Sequence, residues 1–139
     1  CERYLNDFKR RDIVFDLAEA ERVVSFAESF RHYKGEWAGQ KIKLELFQKF
    51  ALMNIFGWKR KSDGLRRFRY CHFEVPRKNG KTILAAIVGL YLLAADEEGG
   101  AEVYNAATKK DQAMILWKDA RVLVERCKDS DLRPENLLM

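Results

Sequence analysis

With 139 residues, 47% apolar and 12% aromatic content, the chain is long enough for one domain with a proper core, too short for two, and not a disordered polypeptide. Its net charge of +5 is a modest excess that favours a polyanionic partner without requiring one. No apolar run approaches the roughly 18 residues of a membrane span, no targeting segment is read in these residues, and three cysteines without a C-x-x-C pair or a histidine cluster argue against a disulfide framework and a zinc site.

The chain starts at Cys1, and the following ERYLNDFKRRD reads like the middle of a polypeptide. The first strong element is DLAEAERVVSFAESFRHYKG. Asp16 with Glu19 three residues on is a capping-box pattern, Ala20, Val23, Val24, Ala27 and Phe30 recur at helical spacing, and Gly35 can close the end. The spacing predicts an amphipathic helix over residues 17–33. LELFQKFALMNIFGW reads as a second helix, with Leu46, Phe47, Phe50 and Met53 on one side and Gly57 as the stop. In KRKSDGLRRFRYCHFEV, a Ser-Asp-Gly turn at 62–64 precedes β-favouring residues 68–75, which predicts a hairpin whose second arm becomes a buried strand.

Pro76 ends that strand, Gly80 permits an unusual turn, and residues 81–94 form an almost wholly apolar helix. A short strand over 101–106 follows, then Thr108 with Asp111 as a cap, and a helix over 109–127 with Met114, Trp117, Ala120, Val124 and Cys127 on its apolar side. Strand and helix alternate from residue 68 onward. This predicts an α/β fold with parallel pairing and right-handed crossovers, preceded by an N-terminal helical segment. Cys71 and Cys127 fall in apolar segments and are expected to be buried free thiols of a reducing, intracellular setting.

Chemistry concentrates in EVPRKNGKT, residues 74–82. Its end fits the phosphate-binding pattern G-x-x-x-x-G-K-[ST], in which backbone N–H groups wrap phosphates, the Lys reaches the β/γ oxygens and the hydroxyl ligates Mg²⁺. The first glycine of that pattern falls on Val75. Taken alone, Gly80-Lys81-Thr82 is an ordinary basic turn. Set between a strand and an apolar helix, the N–H groups of Asn79 to Thr82 and the helix dipole converge on one point, which makes an anion site.

Three separated stretches carry a resemblance. P-R-K-N-G-K-T resembles the variant phosphate loop of the large terminase subunits of tailed bacteriophages, in which the first glycine is typically replaced and an arginine stands where Arg77 does. LFQKFALMNIFGW, with Gln48 and the Phe56-Gly57-Trp58 end, is similar to the adenine-contacting glutamine segment of that family. EVYNAATKKDQA, with Ala107, Thr108, Gln112 and Ala113, resembles its strand and helix after the loop.

The resemblance implies a partial P-loop NTPase fold that binds ATP and Mg²⁺. Lys81 would pair with the β/γ phosphates, with Lys78, Asn79 and Gly80 completing the loop. Thr82 would hold Mg²⁺, Gln48 would offer its amide to adenine, and Arg77 would act in cis on the γ-phosphate, where its planar fork suits phosphate oxygens. It further implies double-stranded DNA, a small terminase subunit and a portal as partners, in the cytoplasm of a bacterial host, with no membrane. The alternative for Gln48 is a surface residue at the edge of an apolar face.

His32 and His72 lack ligand-spaced partners, and Glu74 precedes Pro76 in a position poorly suited to a base. The basic stripe Lys59, Arg60, Lys61, Arg66, Arg67 and Arg69 reads as a solvated face or a DNA contact. In the family, an apolar strand ending in Asp-Glu follows the loop, and then a nuclease domain. Neither Asp96-Glu97-Glu98, after a helix, nor the turn-like 129–135 fits it. Residues 1–139 are therefore expected to be the N-terminal part of a packaging ATPase, binding ATP without turnover and self-associating through open sheet edges. Another P-loop ATPase such as a helicase, or a DNA-binding or assembly module with an accidental GKT, are the other readings.

Overall fold

In the computed structural model, which describes residues 2–96 and 98–127, the apolar periodicities become helices and the predicted strands do not form. The elements are α1 (Glu2–Asp7), β1 (Ile13–Phe15), α2 (Leu17–Ser29), a 3-10 turn (Gly35–Trp37), α3 (Leu46–Gly57), β2 (Trp58–Arg60), α4 (Lys81–Ala94) and α5 (Lys110–Glu125). They fall in two units, one of Cys1–Ser25 and Leu44–Glu74, the other of Phe26–Lys43 and Val75–Met139. Cys1, Glu97 and the turn expected at 129–135 lie outside the described residues.

The first unit is built on an antiparallel pair, β1 against β2, in the register Ile13 to Arg60, Val14 to Lys59 and Phe15 to Trp58. A single chain reversal suffices for such a pair. Trp58, fully buried, is the centre of an aromatic cluster, with edge-on or tilted contacts among Tyr4, Phe8, Phe15 and Trp58 at ring distances of 5.0 to 6.1 Å. Such pairs each add about 0.5–1.5 kcal/mol beyond area burial. Asp16 caps α2 as expected, its Oδ1 accepting from the Glu19 N–H at 3.2 Å. The turn expected at 62–64 forms as well, with Asp63 accepting from the Leu65 N–H and an isolated bridge between Lys59 and Arg66.

The second unit packs α4 against α5 over a core of Leu84, Ala86, Ile87, Tyr91 and Leu123, and Phe26 meets Tyr91 edge-on at 5.3 Å. Asp119 is buried within it and accepts from Lys34 Nζ at 2.9 Å. Tyr33, beside the pair, has its hydroxyl pushed up first by burial and then by the Asp119 carboxylate. Lys34 is raised by Tyr33 and Asp119.

Several expectations are corrected here. No parallel sheet exists among the described residues: the only ladder is β1 with β2, and segments 68–75 and 101–106 form no strand. Alternating apolar residues describe a pleat but do not supply the neighbour whose N–H and C=O groups complete it. Tyr70 and Tyr104, at 93% and 85% exposure, show these segments unburied. The α2 helix ends at Ser29 rather than 33. α3 buries Leu52 and Phe56, while Leu46, Phe47 and Phe50 are exposed. Because α3 is apolar nearly all round, periodicity could not choose its face. α5 starts at Lys110 with no side-chain cap, Thr108 bonding Gln112 instead, and Trp117 is half exposed. Cys127 is buried, but Cys71 is exposed.

Candidate functional site

The residues singled out around the loop belong to the second unit, which supplies the turn 75–80 and the start of α4. Two residues of the turn take left-handed backbone: Lys78, with φ of 69°, and Gly80, with φ of 69° and ψ of 15°. For Gly80 this conformation is free, whereas for Lys78 it carries strain of about 1–3 kcal/mol. Left-handed residues in a tight turn are a means of gathering successive N–H groups into a concavity for anions. The left-handed backbone at Lys78 leaves no signal in residue type.

Gly80 is also the N-cap of α4, and the Leu84 N–H donates to its carbonyl at 2.9 Å to close the first turn. The opening N–H groups of a helix, at 81 to 83 here, have no partner within it. No side chain caps them. The positive end of the helix dipole lies at the same place.

Lys81 reaches back across the turn, its Nζ donating to the Val75 carbonyl at 2.9 Å. Asn79 Nδ2 donates to the carbonyls of Pro76 and Arg77 at 3.2 and 3.3 Å. The turn is thus tied on itself with its cation on the loop side, and Arg77, Lys78, Lys81 and Thr82 are exposed. The Lys81 partner, Val75, is the residue that replaces the first glycine, and it contributes through its backbone. A polyphosphate fits this arrangement: positive charge, helix start and curled backbone coincide, and the Thr82 hydroxyl is accessible for a hard cation.

Gln48 belongs to the first unit. It is the N3 residue of α3, and its Oε1 accepts from the Glu45 N–H at 3.0 Å in a capping box. The spacing of Glu45 and Gln48 was the available signal for this role. Glu74 and His72 stand 3.7 Å apart and both are 89% exposed. The basic stripe is largely engaged within its own unit: Lys59 pairs with Asp16 at 2.9 Å, Arg60 with Asp63 at 2.7 Å, and Arg67 with the buried Asp7 at 2.6 Å. Arg66 lies over the Phe56 ring. Among the described residues no three His, Cys, Asp or Glu side chains gather as a metal cage, and no helix is long and apolar enough to cross a membrane.

Residues 46–139 match the family model described as terminase large subunit, ATPase domain. The chain belongs to that family. The match begins at the first residue of α3 and takes in the loop, α4 and α5. No curated protein and no solved structure matches the chain. The turn 75–82 lies within the residues that match this ATPase domain.

Proposed function

We propose that this chain is the ATP-binding part of a viral terminase large subunit, whose parent protein drives double-stranded DNA into a procapsid within a bacterial host. The observation that carries the reading is the self-tied turn 75–82, with Lys81 Nζ on the Val75 carbonyl at its centre. In this reading the turn is a variant Walker A motif of a P-loop-like fold. On ligand binding the Lys81 ammonium exchanges that carbonyl for the β/γ phosphate oxygens, while the N–H groups from Lys78 to Thr82 face the phosphates. Arg77 meets the γ-phosphate in cis, its guanidinium supplying donors that the strand end at Val75 does not. Thr82 holds Mg²⁺, which screens phosphate charge when bound.

Gln48 is proposed as the adenine contact, a role it would combine with capping α3. The ion pairing of Lys59, Arg60 and Arg67 argues that DNA is engaged by surfaces other than this stripe. The small subunit and the portal complete the proposed partners. Exposed Leu93, Ile115 and Trp117 support self-association of the isolated chain, in place of the sheet edges.

Residues 1–139 are proposed to bind nucleotide through the turn 75–82, with Lys81 as the main cation facing the phosphates. Binding of Mg·ATP should be compared between this chain and Lys81→Ala. Mg²⁺-dependent binding that Lys81→Ala loses supports the reading, and equal binding by the two folded proteins contradicts it.

A further inference from the structure

We infer that Asn79 is a site of spontaneous covalent modification that disables the loop, and that a bound polyphosphate protects it. The inference rests on the phosphate-binding reading of the turn 75–82. Asn79-Gly80 is the only Asn-Gly step in the sequence. It lies in an exposed turn, and Gly80 has no Cβ to obstruct an approach of its backbone nitrogen to the Asn79 side chain. The bonds of the Asn79 amide to the Pro76 and Arg77 carbonyls, at 3.2 and 3.3 Å, are at or beyond the long end of the usual range and lie in an exposed turn.

The other described asparagines are placed differently. Asn6 lies within α1 and Asn54 within α3, where the following backbone is helical, and the Asn54 amide is held on the Phe50 carbonyl at 2.7 Å. Asn105 precedes Ala106, and its amide is held on the Ala113 carbonyl at 2.6 Å.

The step balances with water as its only co-reactant. The Gly80 nitrogen attacks Asn79 Cγ, forming an N–C bond and breaking the Cγ–Nδ2 bond. The Gly80 amide proton passes to solvent, and the leaving nitrogen takes up a proton and departs as ammonia. Water then opens the cyclic imide at either carbonyl, giving aspartate or isoaspartate. No group is oxidised or reduced.

Both products damage the turn. A carboxylate at 79 would face the Pro76 and Arg77 carbonyls, replacing two donor contacts by repulsion between oxygens. It would also compete with phosphate for Arg77, Lys78 and Lys81. Isoaspartate further lengthens the backbone between 79 and the α4 cap at Gly80. Phosphate bound at the turn engages the Gly80 N–H, so the attacking group is occupied.

The test incubates the chain in mildly alkaline buffer with and without saturating Mg·ATP, follows the NH-to-O mass gain by peptide mapping, and titrates fresh and aged protein with Mg·ATP. The expected result is conversion at Asn79 well ahead of Asn6, Asn54 and Asn105, slowed by Mg·ATP, with binding lost in step. Asn79→Gln should stop the mass gain, and Asn79→Asp should weaken Mg·ATP at least about tenfold. Fresh protein that binds Mg·ATP yet does not convert Asn79, converts it equally fast with nucleotide, or keeps its affinity after conversion overturns the inference alone. Fresh protein without Mg·ATP binding overturns the phosphate-binding reading and this inference with it.

Discussion

Lys81 Nζ donates a hydrogen bond to the carbonyl oxygen of Val75, 2.9 Å away and six residues earlier in the chain. The bond joins the two ends of the turn and holds an ammonium where the backbone curls through left-handed Lys78 and Gly80. Val75 stands where the phosphate-loop pattern has its first glycine, and only its carbonyl is used. The departure from the pattern at 75 therefore leaves the closing contact of the loop intact.

In the proposed reading, Arg77 sets the discrimination between ATP and ADP. Arg77→Ala should weaken ATP by about 1.5–3 kcal/mol, the range for hydrogen bonds to charged groups, and leave ADP nearly unchanged. Arg77→Lys should not restore ATP, because the planar fork is lost. Parallel titrations with the two nucleotides check this, and equal losses for both would remove Arg77 from the γ-phosphate.

Gly57 is required for packing in the first unit rather than for its backbone freedom. A Cβ there would lie 2.6 Å from Phe15 Cε2, 2.9 Å from Phe15 Cζ and 3.0 Å from Ala20 Cβ. Gly57→Ala should cost about 1–3 kcal/mol by overpacking, read as a lowered denaturation midpoint. Gly99→Ala, where a Cβ meets nothing within 4 Å, should be nearly neutral.

Acid should weaken the first unit through Asp7 and Asp16. The Arg67 guanidinium bonded to Asp7 holds its carboxyl below the ordinary aspartate range against the opposing effect of burial, and Lys59 does the same for Asp16. In each case the unfolded chain takes up the proton first as pH falls. The stabilisation is thus present above the ordinary aspartate range and is lost as pH drops through the lower folded-state values. Asp7→Asn should flatten this acid limb in denaturation curves taken across pH. At neutral pH it should cost about 3–5 kcal/mol, because Arg67, with its side chain only 11% exposed, loses its anionic partner.

The sequence was most legible where one strong local signal acted alone. α4 has the predicted bounds because Gly80 and a run of apolar residues both act on the same segment. Asp16 caps α2 because a capping oxygen needs only the residue three positions on. Long-range relations were not legible. The β1 to β2 pair joins residues about 45 positions apart in the register Ile13 to Arg60, and neither three-residue strand has a pattern of its own. Asp119 is buried in α5 because Lys34 reaches it from a distant part of the chain, which no helical periodicity could reveal. In the candidate site, the loop pattern pointed to Lys81 and Thr82 and the family resemblance to Arg77, while the left-handed turn at Lys78 and the Val75 carbonyl are backbone properties and became visible only in three dimensions.

The most direct test of the phosphate site is a calorimetric titration of the 139-residue chain and its Lys81→Ala variant with ATP, each with and without Mg²⁺. Lys81 is exposed and its ammonium bonds the Val75 carbonyl within the loop, so the variant should keep the fold and its unfolding midpoint. The account predicts Mg²⁺-dependent binding by the parent chain and a loss of at least about a hundredfold in the variant, or about 3 kcal/mol. Equal affinity of the two folded proteins for Mg·ATP, or no Mg²⁺-dependent binding by the parent chain, would contradict it.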